Sequence, residues 1–366
     1  MKYILIKGFF HVVGYSPDGD SMMFRADNPE HWQHLKAQNS KLFAEKVANG
    51  ALQLRLQGID ALETHFSPPS LRTPKDLKKK PTSKQEKPKK GGYHQPAEIG
   101  KMATDKFLNI MGVKATQWRS WGTTTWIKKA SFIQDGKEVW IDKKHEDVIP
   151  GYIVASEVEK YGRPLAWIFA GSCRNKDGSE LSKETLAKRL RSSVNYKLLL
   201  SGLVYPYFYM SMASVLRKKM ITATKLACNS AKRKQKAYAK NPAKQPEKVP
   251  NLWFYDQSIM LDKGLKVTDL HTLTEKSEVF PYLFRKAVKT YYRQQMQSYW
   301  TAIEEGKTYK YNDEDKSIQI DALLDDGNPR IFIHSEQDFV RLNEILRLEN
   351  NRLKWRYHPM DLVFLS

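Results

Sequence analysis

Residues 3–26 read YILIKGFFHVVGYSPDGDSMMFRA. β-Branched and aromatic residues crowd both flanks, and Pro17-Asp18-Gly19 between them is turn chemistry, so the stretch predicts two strands joined by a hairpin. One Asp would serve the turn. This one carries two, Asp18 and Asp20, in a chain with 61 Lys and Arg against 40 Asp and Glu.

That imbalance, a formal charge of +21 over 366 residues, predicts a polyanionic partner, with nucleic acid first and an anionic membrane second. A hydrophobic content of 41%, with 15 Phe, 18 Tyr and 9 Trp, predicts a real core rather than a disordered polycation. Cys173 and Cys228 form no CxxC pair, which argues against a zinc ribbon and for two reduced thiols. The first apolar run is broken by Lys7 and has no cleavage site, so no signal peptide is expected. No apolar window is long enough to span a bilayer, and cytoplasmic residence without membrane contact is the expectation.

Outward from the hairpin, residues 27–50 predict a helix with Asp27 or Asn28 as cap, Pro29 at its first position and Gly50 as its stop. ALQLRL (51–56) alternates as a half-buried strand. Residues 67–92, rich in Pro, Lys and Ser, read as a flexible basic insertion. A helix follows at 93–112, then strands in ATQWRS, TTTWIKKASFI, KEVWID and GYIVASEVEKYGRPLAWIFAG, then helices over 182–202 and 212–240. From about 262 the chain predicts a helix (278–306), an acidic stretch, a strand RIFIH and a helix over 335–351. The expected organisation is a domain at 1–260 built on a small barrel with three helices, and a C-terminal α+β unit at 261–366, a candidate for self- or partner association. The five-stranded OB barrel, a fold often used on nucleic acids, meets that description.

Three acids stand out, Asp20, Asp60 and Glu63, with Arg55 five residues before Asp60. Carboxylate oxygens suit a hard cation such as calcium. An EF-hand is excluded because Met22 occupies the third ligand position after Asp18 and Asp20. Spacing alone also fits simple turn residues and a solvated Glu. HExxH, P-loop, GxSxG and GxGxxG motifs are absent from the sequence. His31 and His34 stand three apart but lack a third ligand, so surface or packing roles are expected for them, and Cys173 beside Arg174 lacks a His partner, so an inert thiol is expected.

SPDGDSMMFRA, then LRLQGIDALET, then EKYGRPLAWIFAG, in that order, resemble the staphylococcal nuclease (thermonuclease) family. The pattern there is an Asp-Gly-Asp turn, an Arg followed after five residues by Asp and after three more by Glu, and a Tyr-Gly-Arg before an apolar strand. Asp20, Arg55, Asp60, Glu63 and Tyr161-Gly162-Arg163 fill it here. The resemblance spans about residues 1–257, with longer segments between Asp20 and Arg55 and between Glu63 and Arg163. Ala61-Leu62 stands where the family often has Thr-Pro. It implies an OB-fold barrel with three helices and calcium-dependent hydrolysis of DNA or RNA, cutting the 5′ P–O bond to leave 3′-phosphates. It implies calcium held by Asp20, Asp60 and the Ala61 carbonyl, catalytic roles for Arg55, Glu63 and Arg163, and nucleic-acid contacts from Lys160, Tyr161, Tyr207 and Tyr209. The alternative is a nucleic-acid-binding module of the same fold that has lost catalysis.

Overall fold

The computed structural model describes residues 2–365 apart from 49, 76, 82–84, 123, 257–263, 313, 315, 319–321, 326 and 351. The chain forms two compact units that are not consecutive in sequence. The first gathers Met1–Ala61, Glu98–Phe254 and Met360–Ser366, and the second Leu62–Ala97 and Tyr255–Pro359. The boundary expected at 260 falls outside the described residues. The lysine-rich stretch 67–92, expected inside the first domain, groups with the second unit.

Five strands frame the first unit: β1 (Tyr3–His11), β2 (Ser21–Ala26), β3 (Ala51–Leu56), β4 (Ile149–Val158) and β5 (Pro164–Ala170). β1 pairs antiparallel with β2, and β2 with β3. β3 runs parallel to β5, which turns back antiparallel onto β4, and β4 pairs with β1. The ring is therefore closed, a mixed α+β fold around a five-stranded barrel of OB-like order, and closure leaves no barrel edge unpaired. The expected alternation holds on β3, where Leu52, Leu54 and Leu56 are buried while Gln53 is exposed.

The first unit also contains α1 (Ser40–Val47), α3 (Lys183–Arg189), α4 (Val194–Ser201) and α5 (Ser214–Lys240), with α2 (Ala97–Ile110) in the long segment between β3 and β4. Two helices expected as single runs are broken. Residues 29–34 form a 3₁₀ turn with Trp32 buried, Lys36–Ala37 pairs with the end of β4, and only then does α1 begin. The cause is local: Asn28 and Asn39 each accept a backbone N–H, capping two short helices instead of one long one. Residues 182–202 likewise divide at Ser193, whose extended backbone and side chain start α4 afresh, although Ser182 and Gly202 cap and stop the run as expected.

α4 is tied to the barrel by the fully buried Asn195. Its Nδ2 donates to the Gln57 and Ala166 carbonyls, both at 2.9 Å, and its Oδ1 accepts the Ile168 N–H at 2.9 Å.

In the second unit, α6 (Pro281–Glu305) carries Tyr292, Met296, Tyr299 and Ile303 as a buried stripe. Leu71 and Leu77 pack on that stripe. Lys79 Nζ reaches the Glu304 carbonyl, and Gln85 Nε2 the Lys307 carbonyl at 2.9 Å. The lysine-rich segment is thus irregular in backbone but pinned to α6, not a free linker as its composition implied. Its two leucines need burial that a tether cannot give them. The helix expected over 335–351 is also absent. Asp338–Arg341 pairs with Arg330–Ile333, and Leu346–Glu349 pairs with Arg352–Trp355, leaving one helical turn at Leu342–Ile345. Gln337 and Asn350 adopt positive φ, the tight turns that fold this stretch into hairpins. No helix among the described residues is long and apolar enough to cross a membrane. The acidic stretch expected after 310 lies partly outside the described residues.

Replacing Asn195 by Ala takes this partner from the Gln57 carbonyl and the Ile168 N–H, while the Ala166 carbonyl keeps the Gln57 N–H at 3.0 Å. Urea unfolding should show a loss of about 3 kcal/mol.

Candidate active site

Asp20 stands immediately before β2, held there by three features. Asp18 Oδ1 accepts the Asp20 N–H at 3.2 Å. A Cβ on Gly19 would lie 2.8 Å from the Cβ of Ala61 and 2.8 Å from that of Ala103 on α2, so only glycine lets the turn sit this close. On the strand side, buried Asp147 accepts the Val13 N–H at 2.7 Å and the Val12 N–H as well, fixing the chain as it leaves β1.

From β3, Arg55 reaches Asp20 through Nη1 and Asp60 through Nη2. Asp20 Oδ2 accepts the Ala61 N–H at 2.7 Å, and the Asp20 carbonyl accepts the Leu56 N–H at 2.8 Å. Asp60 is 0% exposed and Asp20 4%. Two carboxylates thus face one guanidinium in a buried cluster. Asp20, Arg55, Asp60 and Ala61, chosen from sequence, are brought together.

No group of three or more His, Cys, Asp or Glu side chains is placed to hold a metal ion among the described residues. The side-chain donors at hand are the two Asp carboxylates; Arg55 and the Ala61 N–H engage both Asp20 oxygens, and Arg55 one oxygen of Asp60, so a cation there would take the place of Arg55. Calcium takes about six to eight oxygens, so water and ligand would have to complete it.

Arg163 begins β5. Leu165 pairs in parallel register with Arg55, which puts Arg163 two residues, about 7 Å, back along the neighbouring strand. Its Nε is held by Glu159 across the β4–β5 turn. Lys160 and Tyr161 lie in that turn, with Lys160 Nζ 5.2 Å from the exposed Tyr161 ring. Tyr207 and Tyr209 sit on a strand, Tyr205–Tyr209, that pairs with Gly58–Asp60. Tyr205 faces Asp60 and Tyr207 faces Gly58. Tyr207 and Tyr209 meet edge to face at 5.2 Å, and Phe364 stacks on Tyr207 at 4.6 Å and 8°. One face of Tyr207 is therefore covered.

Glu63 belongs to the second unit. Arg285 Nη1 of α6 contacts its Oε1 at 2.8 Å, and buried Gln95 accepts its N–H at 3.1 Å while donating to the Val279 carbonyl at 2.8 Å. Sequence reading missed Arg285, Gln95, Glu159 and Phe364. Glu159 had a signal, its spacing of four from Arg163. Arg285, more than 200 residues from Glu63, had none. His31 pairs with Asp177 at 3.2 Å and stacks on His34. Cys173 and Cys228 are free thiols.

Behind the hairpin, Tyr15 Oη contacts His145 Nε2 at 2.8 Å, and the His145 ring stacks on His11 at 5.1 Å. Burial, then His11 and Lys144, hold the His145 imidazole below its ordinary 6.5, against the opposing pull of Asp147. The unfolded chain thus binds a proton that the folded one resists, and stability is lost as pH falls below 6.5. Urea midpoints should decline through that window, and His145→Asn, which suits the positive φ there, should flatten the slope.

Arg55→Ala removes the guanidinium that both buried carboxylates face. Thermal and urea unfolding should show a loss of about 3–5 kcal/mol. Millimolar calcium should restore more stability to this variant than to the wild type. Compared with known proteins, the chain matches no family model and no curated protein.

Proposed function

We propose that this chain is a calcium-dependent, sequence-tolerant nuclease that hydrolyses phosphodiester bonds of DNA or RNA, breaking the 5′ P–O bond and leaving 3′-phosphate ends. The observation that carries the reading is the convergence of Asp20, Asp60 and Arg55 beside β2 and β3 of a closed barrel. The motif order along the sequence and the charge of +21 support it.

Water attacks phosphorus, the P–O5′ bond breaks, and negative charge grows on the oxygens left on phosphorus. Arg55 and Arg163 suit that charge, since each guanidinium offers a planar fork of donors. Glu63 accepts the proton of the attacking water, and the departing 5′ oxygen takes a proton from solvent. Asp20, Asp60 and the Ala61 carbonyl would hold calcium, which supplies a positive charge against a phosphate oxygen. Arg55 now pairs with both aspartates; to turn toward a phosphate it needs another cation to take its place. Lys160 and Tyr161, on the exposed turn before Arg163, suit contact with the bound strand.

A second reading is a binding module without catalysis. Engagement of both arginines by the protein's own carboxylates favours it.

Purified protein should cleave DNA or RNA with calcium and stop with EDTA. Glu63→Gln and Arg163→Ala should each lower kcat about 10²–10³-fold, measured by product release. Intact DNA and RNA across divalent metals would leave the binding module as the function.

A further inference from the structure

Between α2 and β4, the first unit carries a three-stranded antiparallel sheet that the barrel does not need: Ala115–Trp121, Thr124–Gln134 and Lys137–Ile141. Its inner side is set by Ile127, Ala130 and Phe132, all buried. Ile127 also ties the sheet to the first hairpin, accepting the Gly14 N–H and donating to the Tyr15 carbonyl, both at 2.8 Å. The sheet therefore stands on the loop that leads to Asp20.

The other side is unusual. Register matches Arg119 to Trp126, Trp121 to Thr124 and Ser131 to Trp140. A bulge opposite Gln117 and Trp118 inserts Lys128, which switches the alternation of the middle strand. Alternation on either side of the bulge then sets Arg119, Trp121, Trp126, Lys129, Ile133 and Trp140 on the face away from Ile127 and Phe132. Trp121 is 84% exposed, Ile133 51% and Trp140 44%. Among the described residues, neither a ring contact nor a side-chain hydrogen bond engages Trp121, Trp126 or Trp140. Trp118 differs, turning its Nε1 onto Thr116 Oγ1 at 3.0 Å. Arg119 is exposed on this face and Lys128 is exposed in the bulge beside it, Lys129 is paired with Asp142 at 3.1 Å, and Glu138, opposite Ile133, is an acid on the same face.

Exposed tryptophans gathered on one face indicate a binding surface. The cations interleaved with them choose the occupant. A purely apolar partner would strand Arg119 and Lys128, whereas a chain of phosphates with exposed bases meets both kinds of group. Bases in a duplex are already stacked on one another, so only a single strand offers its ring faces.

We propose that the outer face of this sheet binds single-stranded nucleic acid, with bases stacking on Trp121, Trp126 and Trp140 and phosphates meeting Arg119 and Lys128. The proposal rests on the nucleic-acid reading of the barrel and deepens it, naming single strands as the polymer presented beside the Asp20 hairpin. Its test does not require cleavage.

Full-length protein in EDTA is titrated with fluorescein-labelled oligothymidylate, oligouridylate and a short duplex, read by anisotropy. Trp121→Ala and Trp140→Ala should each weaken single-strand binding about tenfold, and Trp121→Phe should keep most of it. Duplex affinity should not change. Arg119→Gln and Lys128→Gln should each flatten the slope of log affinity against log salt by about 0.7. Trp121 is so exposed that its replacement should leave the urea midpoint where it was. Unchanged single-strand affinity in the Trp121→Ala, Trp140→Ala double variant overturns the proposal. So does tryptophan-dependent binding to phosphatidylserine vesicles without such dependence for single strands. Tryptophan-dependent binding by a protein that cleaves nothing with calcium would sink the nuclease reading and keep this one. Calcium-dependent cleavage with tryptophan-independent binding would do the reverse.

Discussion

The carboxylate of Asp20 ties three segments that are far apart in the chain. One oxygen meets Arg55 on β3, the other accepts the N–H of Ala61, and its own backbone carbonyl holds Leu56. Asp60 reaches the same guanidinium from the strand that leaves the barrel. Because the cluster is buried and both carboxylates face the same guanidinium, Arg55 is the member the other two depend on. Removing it takes a paired charge away from two acids that water barely reaches.

The close approach of the turn is a constraint of space as much as of charge. Gly19 lets the turn sit against Ala61 and α2 without a side chain between them. Asp147 holds the residues after β1, so the hairpin is gripped at both its ends. The closed barrel supplies the rigid frame. Its parallel β3–β5 pair sets Arg163 within side-chain range of Arg55, at the price of an arginine that must be held by Glu159.

The second unit shows how apolar residues override composition. By lysine and proline content, residues 67–92 should be solvated chain. Leu71 and Leu77 instead cover the apolar stripe of α6, and lysine backbone and side-chain groups find acceptors at its C-terminal end. In the same unit, Glu63 is not a lone acid on a loop. Arg285 and Gln95 set its charge and its backbone.

The barrel strands and their alternation were legible in the sequence through short-range rules, period-two burial and turn residues. The grouping of Asp20, Arg55, Asp60 and Ala61 was expected from the resemblance of their motifs to a known family, since spacing alone also fitted plain turn residues. Helix continuity was misread at 27–50, 182–202 and 335–351. There Asn39, Ser193, Gln337 and Asn350 carry local backbone preferences that decide only when neighbouring strands and the core offer a place to dock. Arg285 against Glu63, Phe364 on Tyr207, and the exposed tryptophan face belong to tertiary structure alone. Sequence by itself determined which groups the chain could bring to a phosphate and a hard cation. Tertiary structure decided which of them meet, because contacts across hundreds of residues obey packing and charge compensation, and neither leaves a periodic mark in the chain.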